Sequence, residues 1–377
     1  MDRGNRADGV RREIVRSCHM GWDSTRLRTE VLNRLKSVIL FDAVCFPTAD
    51  PATLMITSNV GEGLPPEAAR GFFRVEYSVD DFNKFSSLAR GRRVARSLND
   101  ATTGRYDRSA RWREVFGPLG LDDDLRAALV ADGSCWGYLA LHRQGIKGPF
   151  SAEETSFVGQ LTAHLAEGLR KSLLIENVAV EEADEGPGLI LLDDHLDVVA
   201  TTAAARYWLA EVGRTGPDVG ELPSAILAAA SALQALECDS PRSSAMPRSR
   251  LRTASGRWLV VHASRLGGED QENRIAVIIE LALPVEIAPL IAAAYGLSDR
   301  ERQVLQQVVV GLSTAAIAEA LHISANTVQD HLKAIFDKVG VRSRRELVSQ
   351  IFTQQYLPRI WDQAKLGADG WFALAST

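Results

Sequence analysis

The sequence predicts an α+β chain of several domains: two sheet-bearing modules with their helices, then a small all-α domain of four helices. Three observations carry that prediction. Stretches of strand character flank the turn pairs Asp132-Gly133 and Ser255-Gly256, the mark of antiparallel hairpins. Serine followed three residues later by glutamate, a capping box, opens helices at Ser151, Ser298 and Ser343. From residue 298 onward helix starts and stops crowd together with no strand pattern between them. At 377 residues, 46% hydrophobic and 24% charged, the chain has the length of two or three domains and an ordinary globular composition.

In chain order, "TEVLNRLKSVILFDAVCFPT" passes from helical to strand character and "TLMITSNV" is a short strand. A helical and loop region follows, then "DLRAALVADGSCWGYLALHRQ", a hairpin turning at Asp132-Gly133. Ser151 caps a long helix along which Phe157, Leu161, Leu165, Leu169 and Leu173 recur every four residues. Its first half suits packing on a sheet; past Arg170 the stripe suits a dimer seam. "VEEADEGPG", residues 180 to 188, is an acidic break ending in Gly-Pro-Gly. Beyond it, "GLILLDDHLDVVATTAAARYWL" reads as strand, turn at Asp193-Asp194, strand and helix; "RLRTASGRWLVVHASRL" is a hairpin and "NRIAVIIELA" a last strand. "ECDSPRSSAMPRSR" is an internal loop, and the next boundary falls near "LALPVEIAPL". The resulting segments are 1–180, 187–285, 292–352 and an aromatic extension, 353–377, whose Tyr356, Trp361, Trp371 and Phe372 are too apolar for a free tail and suit docking on this domain or a partner.

In segment 292–352, Val304, Leu305, Val308 and Leu312 line one helix that ends at Gly311, and Ser313 caps a short helix holding Ile317 and Leu321. Three residues then turn the chain into a helix capped by Ser324 and stopped at Gly340. Short helix, tight turn and longer helix is helix-turn-helix organisation. Val328, Leu332, Ile335, Phe336 and Val339 share an apolar arc of the longer helix, and Asn326, Gln329, Asp330, Lys333 and Asp337 share the opposite one.

The stretch "LSDRERQVLQQVVVGLSTAAIAEALHISANTVQDHLKAIFDKVGVRSRRELV" resembles the DNA-binding domain of the LuxR family of bacterial transcription regulators, through Leu297, Arg300-Glu301, Val304-Leu305, Gly311, Ile317-Ala318, Leu321, Ile323-Ser324, Thr327-Val328, His331, Lys338 and the run Gly340 to Ser343. The resemblance implies a helix lying in the major groove of double-stranded promoter DNA, with Asn326, Gln329, Asp330 and Lys333 facing bases. It places Arg300, Arg302, Thr314, Thr327, Lys338, Arg342, Ser343, Arg344 and Arg345 on the phosphate backbone. It also implies a homodimer that works with RNA polymerase. Position 329 is commonly lysine in the family and is glutamine here; position 330 is often small or apolar and is an acid here. Glutamine suits adenine N6 and N7, and aspartate accepts from cytosine N4, so the acids are either selectors or partners of Lys333 in surface ion pairs.

The order of segment 1–180, with "DDFNKF", "CWGYLALHR" and "FSAEE", resembles the GAF sensor half of some LuxR-type regulators, an antiparallel sheet with helices on one face and a small-molecule pocket on the other. Segment 187–285 resembles a PAS-like α/β module by element order. Together these imply a one-component regulator whose sensor half takes a small-molecule effector.

Charge qualifies that expectation. Residues 297–352 hold seven basic and six acidic side chains, net plus one, so a single head binds phosphate weakly and two half-sites are needed. A near-neutral domain with aspartates on its outer face also fits an alternative, a protein-interaction adaptor whose helix-turn-helix no longer reads bases. A third class, a GAF-regulated enzyme, finds no support: HExxH, GxSxG and GxxxxGK are absent, and the seven histidines show no metal-ligand spacing. Cys18-His19 lies ahead of the sheet that would hold a bilin, and His142 and His164 suit structural roles better than haem ligation, so no cofactor is expected. The start lacks the doubly wound pattern of a phosphorylation receiver. Cys18, Cys45, Cys135 and Cys238 are scattered, no secretion signal or membrane-length apolar run occurs, and a cytoplasmic protein is expected.

Overall fold

The computed structural model describes residues 3–174, 186–213, 222–239, 247–253, 255–266, 274–282 and 284–350. Its described residues up to Leu281 form one compact unit, and those from Ala282 form another.

The first unit opens with α1 (Arg3–Ser17) and α2 (Ser24–Leu35), followed by β1 (Ala43–Ala49), β2 (Ile56–Glu62), α3 (Ala68–Ser78) and α4 (Phe85–Arg90). Next come β3 (Ala95–Ser97), α5 (Leu98–Thr102), the long hairpin β4 (Leu121–Ala131) and β5 (Ser134–Gln144), and α6 (Ala152–Ser172). The five strands form an antiparallel sheet in the order β2-β1-β5-β4-β3. Asp132 and Gly133 both take positive φ, 49° and 74°, the I′ geometry whose twist matches the strands it joins. Ser151 and Glu154 make both bonds of the capping box on α6, which crosses β3, β4 and β5 and buries Leu161, Leu165 and Leu169. Gly137 allows that approach, since a Cβ there would stand 2.7 Å from Leu169 Cδ1. The leucine stripe is thus core packing. Its last member, Leu173, is half-buried, and the continuation a dimer seam would need, residues 175–185, lies outside the described residues.

A second five-stranded antiparallel sheet follows, from β6 (Gly188–Leu192), β7 (Val198–Thr201), α7 (Ala203–Gly213), α8 (Ser224–Asp239), β8 (Arg248–Arg252), β9 (Trp258–Leu266) and β10 (Arg274–Leu281). Its order, β7-β6-β10-β9-β8, repeats that of the first sheet when strands are counted within each half. The turn predicted at Asp193-Asp194 extends to Asp197, because the Asp193 carboxylate accepts the N–H of His195 (2.9 Å) and of Asp197 (2.8 Å). The Ala-rich α8, unassigned from sequence, is buried from Ala225 through Ser231.

That helix joins the two sheets. It packs on α3 and β2 to one side and on β8, β9 and β10 to the other, and Met55, Phe73 and Tyr138 fall in the same apolar cluster as Trp208, Val261 and Ile275. Asp50 adds a polar link: its carboxylate, 1% exposed, accepts Arg250 Nε (2.9 Å), Nη2 (2.7 Å) and backbone N–H (2.9 Å). Two modules of similar topology therefore form one unit with a common core.

The second unit is helical: α9 (Pro284–Ala294), α10 (Asp299–Val309), α11 (Thr314–Leu321), α12 (Ala325–Val339) and a helix over residues 344–350. Val304, Leu305, Ile317, Val328, Ile335 and Leu347 anchor its core. Among the described residues no helix is long and apolar enough to cross a membrane. The aromatic extension, with Tyr356, Trp361, Trp371 and Phe372, lies outside the described residues.

Candidate nucleic-acid interface

Local chemistry sets α12 in place at both ends. Ser324 Oγ accepts the Thr327 N–H (3.0 Å) at its start, and Gly340, at φ 79°, closes it in the left-handed geometry that glycine tolerates best. Before it, α11 begins under Ser313 and ends at His322, φ 54°, so the turn between the two helices is tight. Val328, Leu332, Ile335 and Val339 are buried and fix the rotation of α12 about its axis.

That rotation decides what faces outward. At about 100° per residue, Asn326, Gln329, Asp330, Lys333 and Asp337 fall within an arc of roughly 100°. All five are exposed. Ion pairing between the aspartates and Lys333, allowed by their spacing, does not form: none of the three joins an ion pair among the described residues. Their polar groups are left to meet an outside partner. Asp337 sits eleven residues past Asn326, about 16 Å along the axis, at the far end of the face.

The basic residues divide. Lys338 Nζ turns inward, 2.6 Å from Glu301 Oε2 and 3.2 Å from the Gly296 carbonyl, tying the end of α12 to the start of α10. Burial would raise the Glu301 carboxyl, but Lys338 and the Ser298 N–H outweigh it and hold it below its ordinary range. Arg302 pairs with Asp299, and Arg344 donates to the Leu312 carbonyl. Arg300 reaches Gln303 Oε1 at 2.6 Å, while Arg342 and Arg345 are exposed at the start of the last helix. Thr314 and Thr327 sit in the first turns of α11 and α12. Ser343 Oγ accepts the Glu346 N–H at 3.1 Å, whereas Glu346 returns its bond to the Arg342 N–H (2.8 Å) and not to Ser343, so this capping box is half-formed.

The Ser298 box is complete, with its oxygen on the Glu301 N–H (3.3 Å) and Glu301 Oε2 on the Ser298 N–H (2.6 Å). Ser298→Ala is expected to destabilise the helical unit by about 1 kcal/mol. A lowered urea midpoint of the helical transition checks this.

Elsewhere, the histidines and cysteines weighed as cofactor ligands have structural surroundings. His142 is buried in β5 with its ring 4.3 Å from that of Phe116, and burial holds it neutral, down to about 3. His164 is exposed on α6. The Cys18 thiol is buried, which pushes it up to about 12, and Gly168 packs over it. Cys18, Cys45 and Cys135 are free thiols; the side chain of Cys238 lies outside the described residues.

Comparison with known proteins adds family to geometry. Residues 296–351 match the family of bacterial regulatory proteins, luxR family, and residues 29–169 match the GAF domain. The probable transcriptional regulatory protein NarL of Mycobacterium tuberculosis is 35% identical over 98 residues, 26% of this chain and 39% of that protein. The CsgBAC operon transcriptional regulatory protein of Escherichia coli is 42% identical over 53 residues, 14% of this chain and 24% of that protein. The chain thus spans well under half the length of either relative. Among solved structures, Escherichia coli SdiA aligns over 91% of this chain and 96% of its own, with TM-score 0.30 and 12% identity. A phage VqmA–DPO complex aligns over 46% and 84%, with TM-score 0.25 and 19% identity. The chain carries a LuxR-family helix-turn-helix domain at residues 296–351 and a GAF domain at residues 29–169.

Proposed function

We propose that this chain is a cytoplasmic one-component transcription regulator that binds double-stranded promoter DNA as a homodimer and acts with RNA polymerase. The observation that carries the reading is the outer face of α12: a helix fixed by caps and core presents Asn326, Gln329, Asp330 and Lys333 outward, with none of them committed to an ion pair within the domain. Arg300, Arg342 and Arg345 flank that face as phosphate contacts, helped by Thr314, Thr327 and Ser343. Arg302, Arg344 and Lys338, expected on the backbone, already hold internal partners and contribute less. The GAF domain and the second sheet, read as a PAS-like module, form the sensor half. An effector there shifts the placement of the two heads, and a coupling of about 1 to 3 kcal/mol changes operator affinity roughly 5- to 150-fold.

Selection from a random duplex library with the full-length protein, at about 0.15 M salt, tests this directly. An inverted repeat is expected, and Lys333→Ala is expected to lose binding to it. A protein that enriches no sequence, yet retains a protein partner regardless of Lys333→Ala, is the adaptor instead.

A further inference from the structure

The face of the first sheet turned away from α6 borders a cavity of about 430 Å3, part of it open to solvent. Cys45 of β1, Asn59 of β2, Phe72 and Phe73 of α3, and Phe116 line it, and Ser224, the first residue of α8, completes the wall from the second module. The lining is almost wholly apolar, with one exception. Asn59 is buried to 6% exposure, and its Oδ1, out of reach of solvent, has no hydrogen-bond partner. A buried amide oxygen left unmade costs about 1 to 3 kcal/mol, so it marks a position where a donor belongs.

We propose that this cavity binds a small, uncharged, largely apolar molecule bearing a hydroxyl group, with Asn59 as the hydrogen-bond partner and α8 as a wall contributed by the second module. The charge follows from the lining, which holds no ionised group to pair with a buried ion. Behind Phe72, 5.4 Å from its ring, the Arg126 guanidinium is already held by Glu76 and Asp124. The Cys45 thiol beside Asn59 is buried and pushed up to about 12, hence neutral. A hydroxyl both donates and accepts, so it satisfies the amide whichever way round its two ends are set.

The position of α8 gives the site a consequence. Its buried stretch is mostly alanine, it touches α3 and β2 on one side and the second sheet on the other, and Ser78 Oγ donates to the Ser231 carbonyl at 3.3 Å. An occupant therefore bears on both modules at once, the kind of packed helix that moves by small shear. This deepens the regulator reading, on which only the link to DNA rests.

Titration of the full-length protein with benzyl alcohol, toluene and benzoate, read by calorimetry without DNA, tests the proposal. Saturable binding of benzyl alcohol is expected, about three- to tenfold tighter than toluene, with benzoate not bound. Asn59→Leu is expected to abolish that preference while toluene still binds. Equal binding of the two, preference for benzoate, or preference retained in Asn59→Leu overturns it. Hydrogen exchange on the unaltered protein gives a second readout: benzyl alcohol is expected to slow exchange in residues 68–78 and 224–239, and unchanged rates there overturn the role of α8. Because no arm contains DNA, a failed regulator reading leaves these outcomes intact.

Discussion

Asp124→Asn lowers the unfolding free energy of the sheet-bearing unit by about 3 to 5 kcal/mol, the expected cost of removing one partner from a buried ionic cluster. Asp124, 3% exposed at its side chain, holds Arg111 Nε at 2.9 Å and Arg126 Nε at 3.1 Å, and both arginines are buried to within 1%. Arg111 also meets Asp81 (3.1 Å) and Arg126 meets Glu76 (2.7 Å), so the cluster bridges α3, β4 and the segments beside them. Without Asp124 two guanidinium groups stay desolvated with one carboxylate each. The carboxyl itself sits at about 2: burial pushes it up, and Arg111 and Arg126 more than reverse that.

A depressed acid contributes stability above its unfolded value, near 4, and loses it as pH falls toward its folded value. The gap between the native and Asp124→Asn proteins is therefore expected to hold from pH 7 to about 4 and shrink below. Urea unfolding across that range measures it; a gap under 1 kcal/mol at pH 7, or one that widens in acid, contradicts the account. Asp123 runs oppositely. Burial raises it to about 6 even though it accepts the Phe150 N–H (2.8 Å) and Asn99 N–H (2.9 Å), so its contribution grows as pH falls from 6 toward 4.

None of this is visible in "GLDDDLRAALV". Three successive aspartates read as a solvated start to a strand, and the groups that neutralise Asp124 come from position 111 and, through Arg126, position 76. Features written within four residues were legible: the I′ turn at Asp132-Gly133, the capping boxes at Ser151 and Ser298, and the Gly340 stop. Their chemistry is local. Helix α8 escaped notice for a different reason, because "SAILAAASALQALE" is buried nearly all round and offers no contrast between faces for periodicity to detect. Likewise nothing in the sequence singles out Asn59, whose unmade bond depends on where β1, β2 and α3 pack.

Spacing also permits interactions that the fold does not make. Asp330 and Lys333 stand three apart on one helix, as surface pairs do, yet they do not pair. An unpaired acid on a DNA-facing helix repels phosphate and weakens binding to every sequence, unless it accepts a hydrogen bond from a base; cytosine N4 is the donor in the major groove. Asp330→Ala is accordingly expected to act in opposite directions on two kinds of DNA. Affinity for nonspecific duplex rises, because a negative charge leaves the interface. Discrimination for cytosine at one position of each half-site falls by about 1 to 3 kcal/mol, roughly 5- to 150-fold. In a homodimer the loss appears symmetrically in both half-sites. Competition binding with duplexes altered one base pair at a time reads both effects from the same preparation. A uniform gain on all sequences, with no position relaxed, would assign Asp330 to the solvent and leave base reading to Asn326, Gln329 and Lys333.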